Sequence, residues 1–138
     1  NPENGPEHHI RFIVDENLDH GLHGALPELT NWQPLFNLCT TSDAVIIHIE
    51  LPGVELPDVV VLLKSRYMVI TGTRIMPAAI TDDRCTFHNL EMPFGRFHRR
   101  IDFPVPVETQ GYRYEIDKGI LTLHLRAVQE KFITIEGE

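Results

Sequence analysis

The chain has 138 residues, of which 12 are basic and 20 are acidic, so its formal net charge is −8. This length fits one domain with short extensions, and the share of hydrophobic residues, 42%, is typical of neither a disordered nor a membrane protein. The acidic balance argues against nucleic acid as the main partner. The longest apolar runs, such as residues 59–63, are far shorter than the ~20 residues of a membrane-spanning helix.

Residues 1–33 are polar, irregular and interrupted by proline and glycine, which predicts an N-terminal arm outside the main domain. Leu18, Leu22 and Leu26 recur every four residues, a spacing that suits at most a short amphipathic helix. The arm also contains His20 and His23, which could share one helical face, but no nearby third ligand completes a zinc site. We therefore interpret these histidines as solvent-exposed.

From Pro34 onwards, apolar residues alternate with polar ones, the pattern of strands with one buried face. Val45, Ile47 and Ile49 share one such face. Seven or so short strands separated by turns, without a long helical period, predict an all-β protein with an immunoglobulin-like antiparallel sandwich. The predicted strands cover residues 45–51, 59–63, 68–73, 97–103, 112–116 and 120–125, with a further short strand possible at 85–88 inside a long connection.

No motif in the sequence predicts catalysis. Nucleophile elbows, zinc-protease helices, phosphate-binding glycine loops and dinucleotide fingerprints do not occur, and the pair Asp82-Asp83 lacks the further carboxylates of a calcium loop. Cys39 and Cys85 lack a CxxC spacing and are interpreted as reduced thiols. We predict no enzymatic activity, no cofactor and no metal. No secretory leader is visible at the start of the sequence, so a cytoplasmic location is expected.

Five segments follow one another in an order typical of a known family. They are Glu50–Val54 with Asp58-Val59, Val69–Arg74, Glu91 with Phe94–Ile101 and Phe103-Pro104, Gly119–Leu123, and Ile133-Thr134-Ile135. In that order they resemble the LPGV…D(I/V) turn, the L-x-I-x-G-x-R strand, the E…aromatic-G-x-F-x-R…L-P segment, the G-(V/I)-L-T-(V/L) strand and the C-terminal I-x-I anchor of small heat-shock proteins. The resemblance implies an α-crystallin domain at about 34–127, between an arm at 1–33 and a C-terminal extension at 128–138.

Three features distinguish this chain within that resemblance. Tyr114 stands where the family often has alanine, so its ring either reshapes the groove for the C-terminal anchor or turns outward. Asp102 stands where many animal members have arginine, so no role of that arginine is transferred. The connection from Gly72 to Phe97 is long, as in bacterial and plant members, where such a loop carries a strand that pairs with the other subunit of a dimer.

The function implied by the resemblance is that of an ATP-independent holdase, which binds partly unfolded client proteins under stress and suppresses their aggregation. The chain would form a dimer and a larger homo-oligomer. The site residues that the resemblance implies are Ile133 and Ile135 as the oligomer anchor; Val59, Val61, Tyr114 and Ile116 as the anchor groove; Cys85, Phe87, Glu91 and Arg99 at the dimer interface, with Glu91 meeting Arg99 across it; and Ile10, Phe12, Ile13, Val14, Leu18, Leu22 and Leu26 as the client-binding arm.

Two other functions are compatible with the sequence. The first is a non-chaperone or co-chaperone interaction module on a CS-type sandwich, which would dock on one defined protein and be monomeric at micromolar concentration. The second is a metal-binding protein that uses its histidines, which would carry stoichiometric zinc. The I-x-I segment and the long connection favour the holdase, because both serve self-assembly.

Overall fold

The computed structural model of the protein describes residues 10–14, 32–77 and 84–129. Alternating apolar residues place most of these in short strands. The strands are β1 (Arg11–Ile13), β2 (Phe36–Thr40), β3 (Ala44–Glu50), β4 (Val60–Leu63), β5 (Tyr67–Arg74), β6 (Gly95–Asp102), β7 (Arg113–Asp117) and β8 (Ile120–Arg126), with a 3-10 turn at Leu56–Asp58. Within these ranges the chain has no helix that is both long and apolar enough to span a membrane.

The strands form two four-stranded sheets that face each other. The first sheet has the order β1-β4-β5-β6 and the second the order β2-β3-β8-β7. Every pair is antiparallel except β1 with β4, which is parallel. This arrangement confirms the predicted all-β sandwich.

The core lies between the sheets and follows the period of two read from the sequence. Val45, Ile47 and Ile49 of β3 are completely buried, while His48 and Glu50 between and after them are exposed. Side chains on successive residues of a strand point to opposite faces, so one face of each strand can be apolar. The other core residues repeat the pattern, among them Val61 and Leu63 in β4, Met68 and Ile70 in β5, Phe97 and Ile101 in β6, and Leu121, Leu123 and Leu125 in β8.

The turn between β7 and β8 depends on backbone conformations that few residues adopt. Lys118 and Gly119 have φ values of 54° and 81°, and two successive positive φ angles are the requirement of a tight type I′ hairpin. A Cβ atom at Gly119 would lie 3.0 Å from the Cα atom of Pro52. Glycine therefore lets this hairpin pack against the turn that follows β3.

Two expectations from the sequence are wrong in detail. Residues 85–88 form no strand, because none of the strands in ranges 10–14, 32–77 and 84–129 lies beside them to supply a ladder of hydrogen bonds. Residues 11–13, expected within an irregular arm, form strand β1, and Ile10 beside them is a core residue with only 7% exposure. The remaining arm residues Leu18, Leu22 and Leu26, the pair Asp82-Asp83, and Ile133 and Ile135 lie outside the described residues.

Candidate functional site

The residues expected to line the anchor groove lie in both sheets. Val59 immediately precedes β4, Val61 lies within it, and both are completely buried. Tyr114 and Ile116 lie on β7, at the edge of the second sheet, and are half-buried against the core. Strand β1 joins these two groups, because it pairs with β4 and its neighbour Ile10 contacts Tyr114.

A segment of the chain itself therefore occupies this groove. The backbone N–H of Arg11 donates a hydrogen bond to the carbonyl oxygen of Val59 at 3.1 Å. The backbone N–H of Ile10 donates one to the hydroxyl oxygen of Tyr114 at 3.4 Å. Ile10 belongs to the core, and Phe12 and Val14 pack against it, so alternate residues of the segment face inward.

Aromatic contacts also hold this segment in place. The ring of Phe12 stacks on Tyr112, with centroids 4.2 Å apart and planes inclined by 21°, and its centroid lies 5.3 Å from that of Tyr114. Tyr114 thus faces the groove and does not turn outward. Burial, with a smaller contribution from the neighbouring Tyr114, raises the pKa of the Tyr112 hydroxyl above its usual value.

Two residues expected to bind clients, Ile10 and Phe12, lie within the sandwich in this structure. Their role in client binding stays a prediction. Val59 and Val61 belong to the core cluster, and Tyr114 and Ile116 pack against it; their role as a groove for the anchor stays a prediction. Tyr112 was missed, although its spacing of two from Tyr114 on a predicted strand could have indicated it.

Arg99 lies among the apolar residues of β6, as expected from its phase with Phe97 and Ile101, and it reaches across to the second sheet. Its Nη1 group donates a hydrogen bond to the carbonyl oxygen of Pro34 at 3.3 Å, and the guanidinium lies 4.6 Å from the ring centroid of Phe36. A cation over an aromatic face is stabilised by the ring quadrupole. Arg99 is therefore fixed beside β2, one of the two edge strands of the second sheet.

The other residues expected at the dimer interface lie on the exposed connection between β5 and β6. Cys85, Phe87 and Glu91 are all exposed, and within the described residues Glu91 makes no ion pair with Arg99 of the same chain. Large apolar side chains nearby are also open to solvent: Phe87 is 49% exposed, Leu90 62% and Met92 68%. The segment thus presents apolar surface that the single chain does not cover.

The base of this connection is held in place by two side chains. The guanidinium of Arg74, at the end of β5, lies 4.1 Å from the ring centroid of Trp32 and donates a hydrogen bond to the carbonyl oxygen of Pro93 at 3.1 Å. The indole N–H of Trp32 donates one to the carbonyl oxygen of Gly95 at 2.9 Å. Both ends of the connection are therefore fixed, and sequence reasoning identified none of these three contacts.

An open cleft of about 210 Å³ lies along β2, lined by Leu35, Phe36, Asn37, His48, Ile49, Glu50 and Ile120. In the described part of the chain, no group of three histidine, cysteine, aspartate or glutamate side chains is placed to bind a metal ion.

Comparison with known proteins bears directly on this arrangement of strands. Residues 38–136 match the family model of the Hsp20/alpha crystallin family. The chain belongs to this family. Its member Spore protein SP21 of Stigmatella aurantiaca is 32% identical over 92 residues, which make up 67% of this chain and 53% of that protein. The 22.7 kDa class IV heat shock protein of Pisum sativum is 24% identical over 115 residues, which make up 83% of this chain and 57% of that protein.

A solved structure shows the same fold. Heat shock protein 16.0 from Schizosaccharomyces pombe is 27% identical, with a TM-score of 0.62, and the match covers 76% of this chain and 99% of that one. The resemblance read from the sequence is thereby confirmed at the level of the family and of its α-crystallin sandwich. This Hsp20-family chain spans little more than half the length of the two curated relatives named above. The matched range includes Ile133 and Ile135 but begins after β1.

Proposed function

We propose that this protein is an ATP-independent chaperone that binds partly unfolded proteins under stress and keeps them from aggregating. Membership of the Hsp20/alpha crystallin family carries the proposal, because small heat-shock proteins generally act in this way. The sequence also contains no nucleotide-binding motif that would couple binding to hydrolysis. We expect the protein to act in the cytoplasm, as predicted from the sequence.

Dimer formation through the connection between β5 and β6 is supported by its exposed apolar side chains. Burying a side chain such as Phe87, Leu90 or Met92 stabilises an interface by roughly 1.5–3 kcal/mol before ordering costs. Edge strands offer unpaired backbone groups to an incoming strand, and β2 is such an edge. Because Arg99 is fixed beside β2, we propose that the connection of the second subunit runs along β2 and brings its Glu91 to Arg99.

Larger assemblies would form through the C-terminal segment. An extended peptide with two isoleucines two residues apart presents both to the same side. Ile133 and Ile135 would enter the groove between Val59, Val61 and Tyr114 on a neighbouring dimer. Such a contact is small enough to exchange, and many of them together can hold an oligomer.

Client binding is assigned to the arm at residues 1–33, whose apolar residues are separated by proline, glycine and charge. Leu18, Leu22 and Leu26 would bind exposed apolar surface of clients weakly and at many points. Ile10 and Phe12 would take part only after leaving the groove. The net charge of −8 would help to keep a client-loaded particle in solution.

The proposal is tested by heating an aggregation-prone client enzyme with and without the full chain while light scattering is recorded. We expect suppression at near-stoichiometric ratios and no effect of added ATP. A chain beginning at Trp32 is the comparison, and it should protect the client less well. Undiminished scattering at every ratio would overturn the chaperone proposal, and a monomer at micromolar concentration would favour a docking module. Equal protection by the shortened chain would contradict only the assignment of client binding to the arm, and would leave the chaperone proposal in place.

A further inference from the structure

The edge of β4 is occupied by strand β1, which residues 15–31 separate in sequence from the rest of the described sandwich. Strand β1 pairs with β4 over three residues, Arg11 to Ile13. Since β4 pairs with β5 on its other side, only one segment at a time can occupy this edge. Whatever else binds here must first displace β1.

The contacts that hold β1 are confined to three residues of strand pairing, one side-chain hydrogen bond, and the packing of Ile10, Phe12 and Val14. It is a three-residue strand in the single parallel pair of the described sheets, and parallel pairing is slightly less stable per residue than antiparallel pairing. The hydrogen bond from Ile10 to Tyr114 is long, at 3.4 Å. Residues 15–31 separate the β1 segment from Trp32, and a fully extended stretch of this length spans roughly 55 Å. Because β1 is an edge strand, its departure would leave every pairing among β2 to β8 in place.

The same chain carries a second segment with the spacing that the groove accepts. Ile10 and Phe12 lie two residues apart and both face inward. Ile133 and Ile135 have that spacing in a sequence beyond the described residues. Alternate side chains of an extended segment enter one row of pockets while its backbone adds to the sheet edge.

We propose that β1 is a displaceable cap on the β4 edge, and that the segment with Ile133 and Ile135 from a second copy binds there only after β1 leaves. This inference rests on the proposed function, because it takes the C-terminal segment as the assembly ligand. Binding of that segment and release of β1 are then coupled. Binding of the C-terminal segment frees Ile10 and Phe12. A molecule that binds the released arm therefore raises the affinity for the C-terminal segment, by the same factor as that segment raises the affinity for the molecule.

While β1 is paired with β4, the groove cannot bind the C-terminal segment. The apparent affinity for that segment is therefore its intrinsic affinity multiplied by the fraction of molecules that β1 has left open. The experiment uses the full chain with Ile133→Ala and Ile135→Ala, so that its own C-terminal segment does not compete. A fluorescent peptide of residues 129–138 is the probe, and its anisotropy gives the affinity. Adding Phe12→Ala removes the stacking on Tyr112 and should tighten peptide binding roughly tenfold. Arg11→Ala is the matched control, because the Arg11 side chain is exposed on the same strand, and it should change nothing.

A second measurement follows the cap directly in the chain that carries only the two isoleucine substitutions. Amide hydrogen exchange at Arg11 should be slow without peptide, because its N–H is bonded to Val59, and fast at saturating peptide. Exchange at buried β8 amides such as that of Leu123 should stay slow, which shows that the sandwich remains folded.

The outcomes separate this inference from the proposed function. Equal peptide affinity of the Phe12→Ala and Arg11→Ala chains, or an Arg11 amide that stays protected at saturation, would overturn the cap. If the peptide bound none of the variants, the C-terminal segment would not be the competitor of β1 for the β4 edge, and the inference would fail on that point. Neither result bears on client protection, which the scattering assay measures separately.

Discussion

The guanidinium of Arg99 donates a hydrogen bond to the carbonyl oxygen of Pro34, 3.3 Å away. It thereby joins β6 of the first sheet to the residues that lead into β2, an edge strand of the second. The contact satisfies one of the five N–H donors of arginine. The remaining donors can bind a carboxylate that approaches along β2. An arginine suits this task because its planar fork can hold a carboxylate through two hydrogen bonds.

We therefore expect Glu91→Ala and Arg99→Ala each to weaken the dimer. Together they should weaken it by less than the sum of the single effects, with a coupling of about 0.5–3 kcal/mol. Analytical ultracentrifugation of the two single variants and the double variant measures this. Arg100→Ala is the control, because Arg100 pairs at 3.0 Å with the exposed Asp102, and surface pairs contribute at most about 1 kcal/mol. Strictly additive losses would leave Arg99 as an intrachain contact alone.

The C-terminal segment gives a second prediction. Replacing both Ile133 and Ile135 by alanine should shift the assembly towards dimers, because each side chain loses most of its apolar surface. Size-exclusion chromatography with light scattering gives the mass, and circular dichroism should show an unchanged sandwich. Thr134→Ala alters the residue between them, which would face outward, and should keep the original size. A double variant of unchanged size would argue that these isoleucines anchor nothing.

Close packing between β5 and β6 gives a third prediction. A Cβ atom at Gly72 would lie 2.6 Å from Cζ and 2.7 Å from Cε2 of Phe97, which is completely buried. Gly72→Ala should therefore lower the free energy of unfolding by about 1–3 kcal/mol, the usual cost of overpacking a core. Urea unfolding at fixed protein concentration measures it. Arg96→Ala, at an exposed position on the facing strand, is the control, and equal midpoints for the two variants would contradict the close approach.

The pKa of Tyr112 gives a fourth prediction, at high pH. Because burial raises this pKa in the folded chain, the folded state keeps a proton that the unfolded state releases above pH ~10. The stabilisation is complete below that pH and is lost as the pH rises through the folded pKa. Urea unfolding between pH 9 and pH 11 should show stability falling more steeply for the original chain than for Tyr112→Phe. Parallel curves would mean that Tyr112 titrates alike in both states.

Most of the sandwich could be predicted because its strands are amphipathic on a local scale. Val45, Ile47 and Ile49 alternate with outward-facing residues over seven positions, and that signal needs no knowledge of the neighbouring strand. The hairpin at Asp117–Gly119 is similarly local, since its turn chemistry lies within three residues. Such elements are specified by period and by turn residues alone.

The elements that the sequence did not reveal depend on distant residues. Ile10 to Val14 is a short apolar run in a polar stretch, and only its pairing with β4 makes it a strand. The segment at residues 85–88 has strand-like composition, but none of the described strands lies beside it. Arg99 was recognised as a charge on an apolar face, yet Pro34 and Phe36, which hold it, come from the other sheet, 65 positions from Arg99 in the case of Pro34.

The parallel pairing of β1 with β4 also constrains the order of events in folding. In that pairing Arg11 lies 49 positions from Val60, and Ile10 lies 104 positions from Tyr114, with which it shares a hydrogen bond. Closing so long a loop costs more entropy than forming the β4–β5 or β7–β8 hairpin, so pairings of this kind are slow. We expect β1 to add last, because it contacts both the β4 edge and the tyrosines Tyr112 and Tyr114, which come together only once both sheets exist. A chain that refolds after heat shock then passes through a nearly complete sandwich with a bare β4 edge, and at high concentration a neighbouring chain can reach that edge before β1 does.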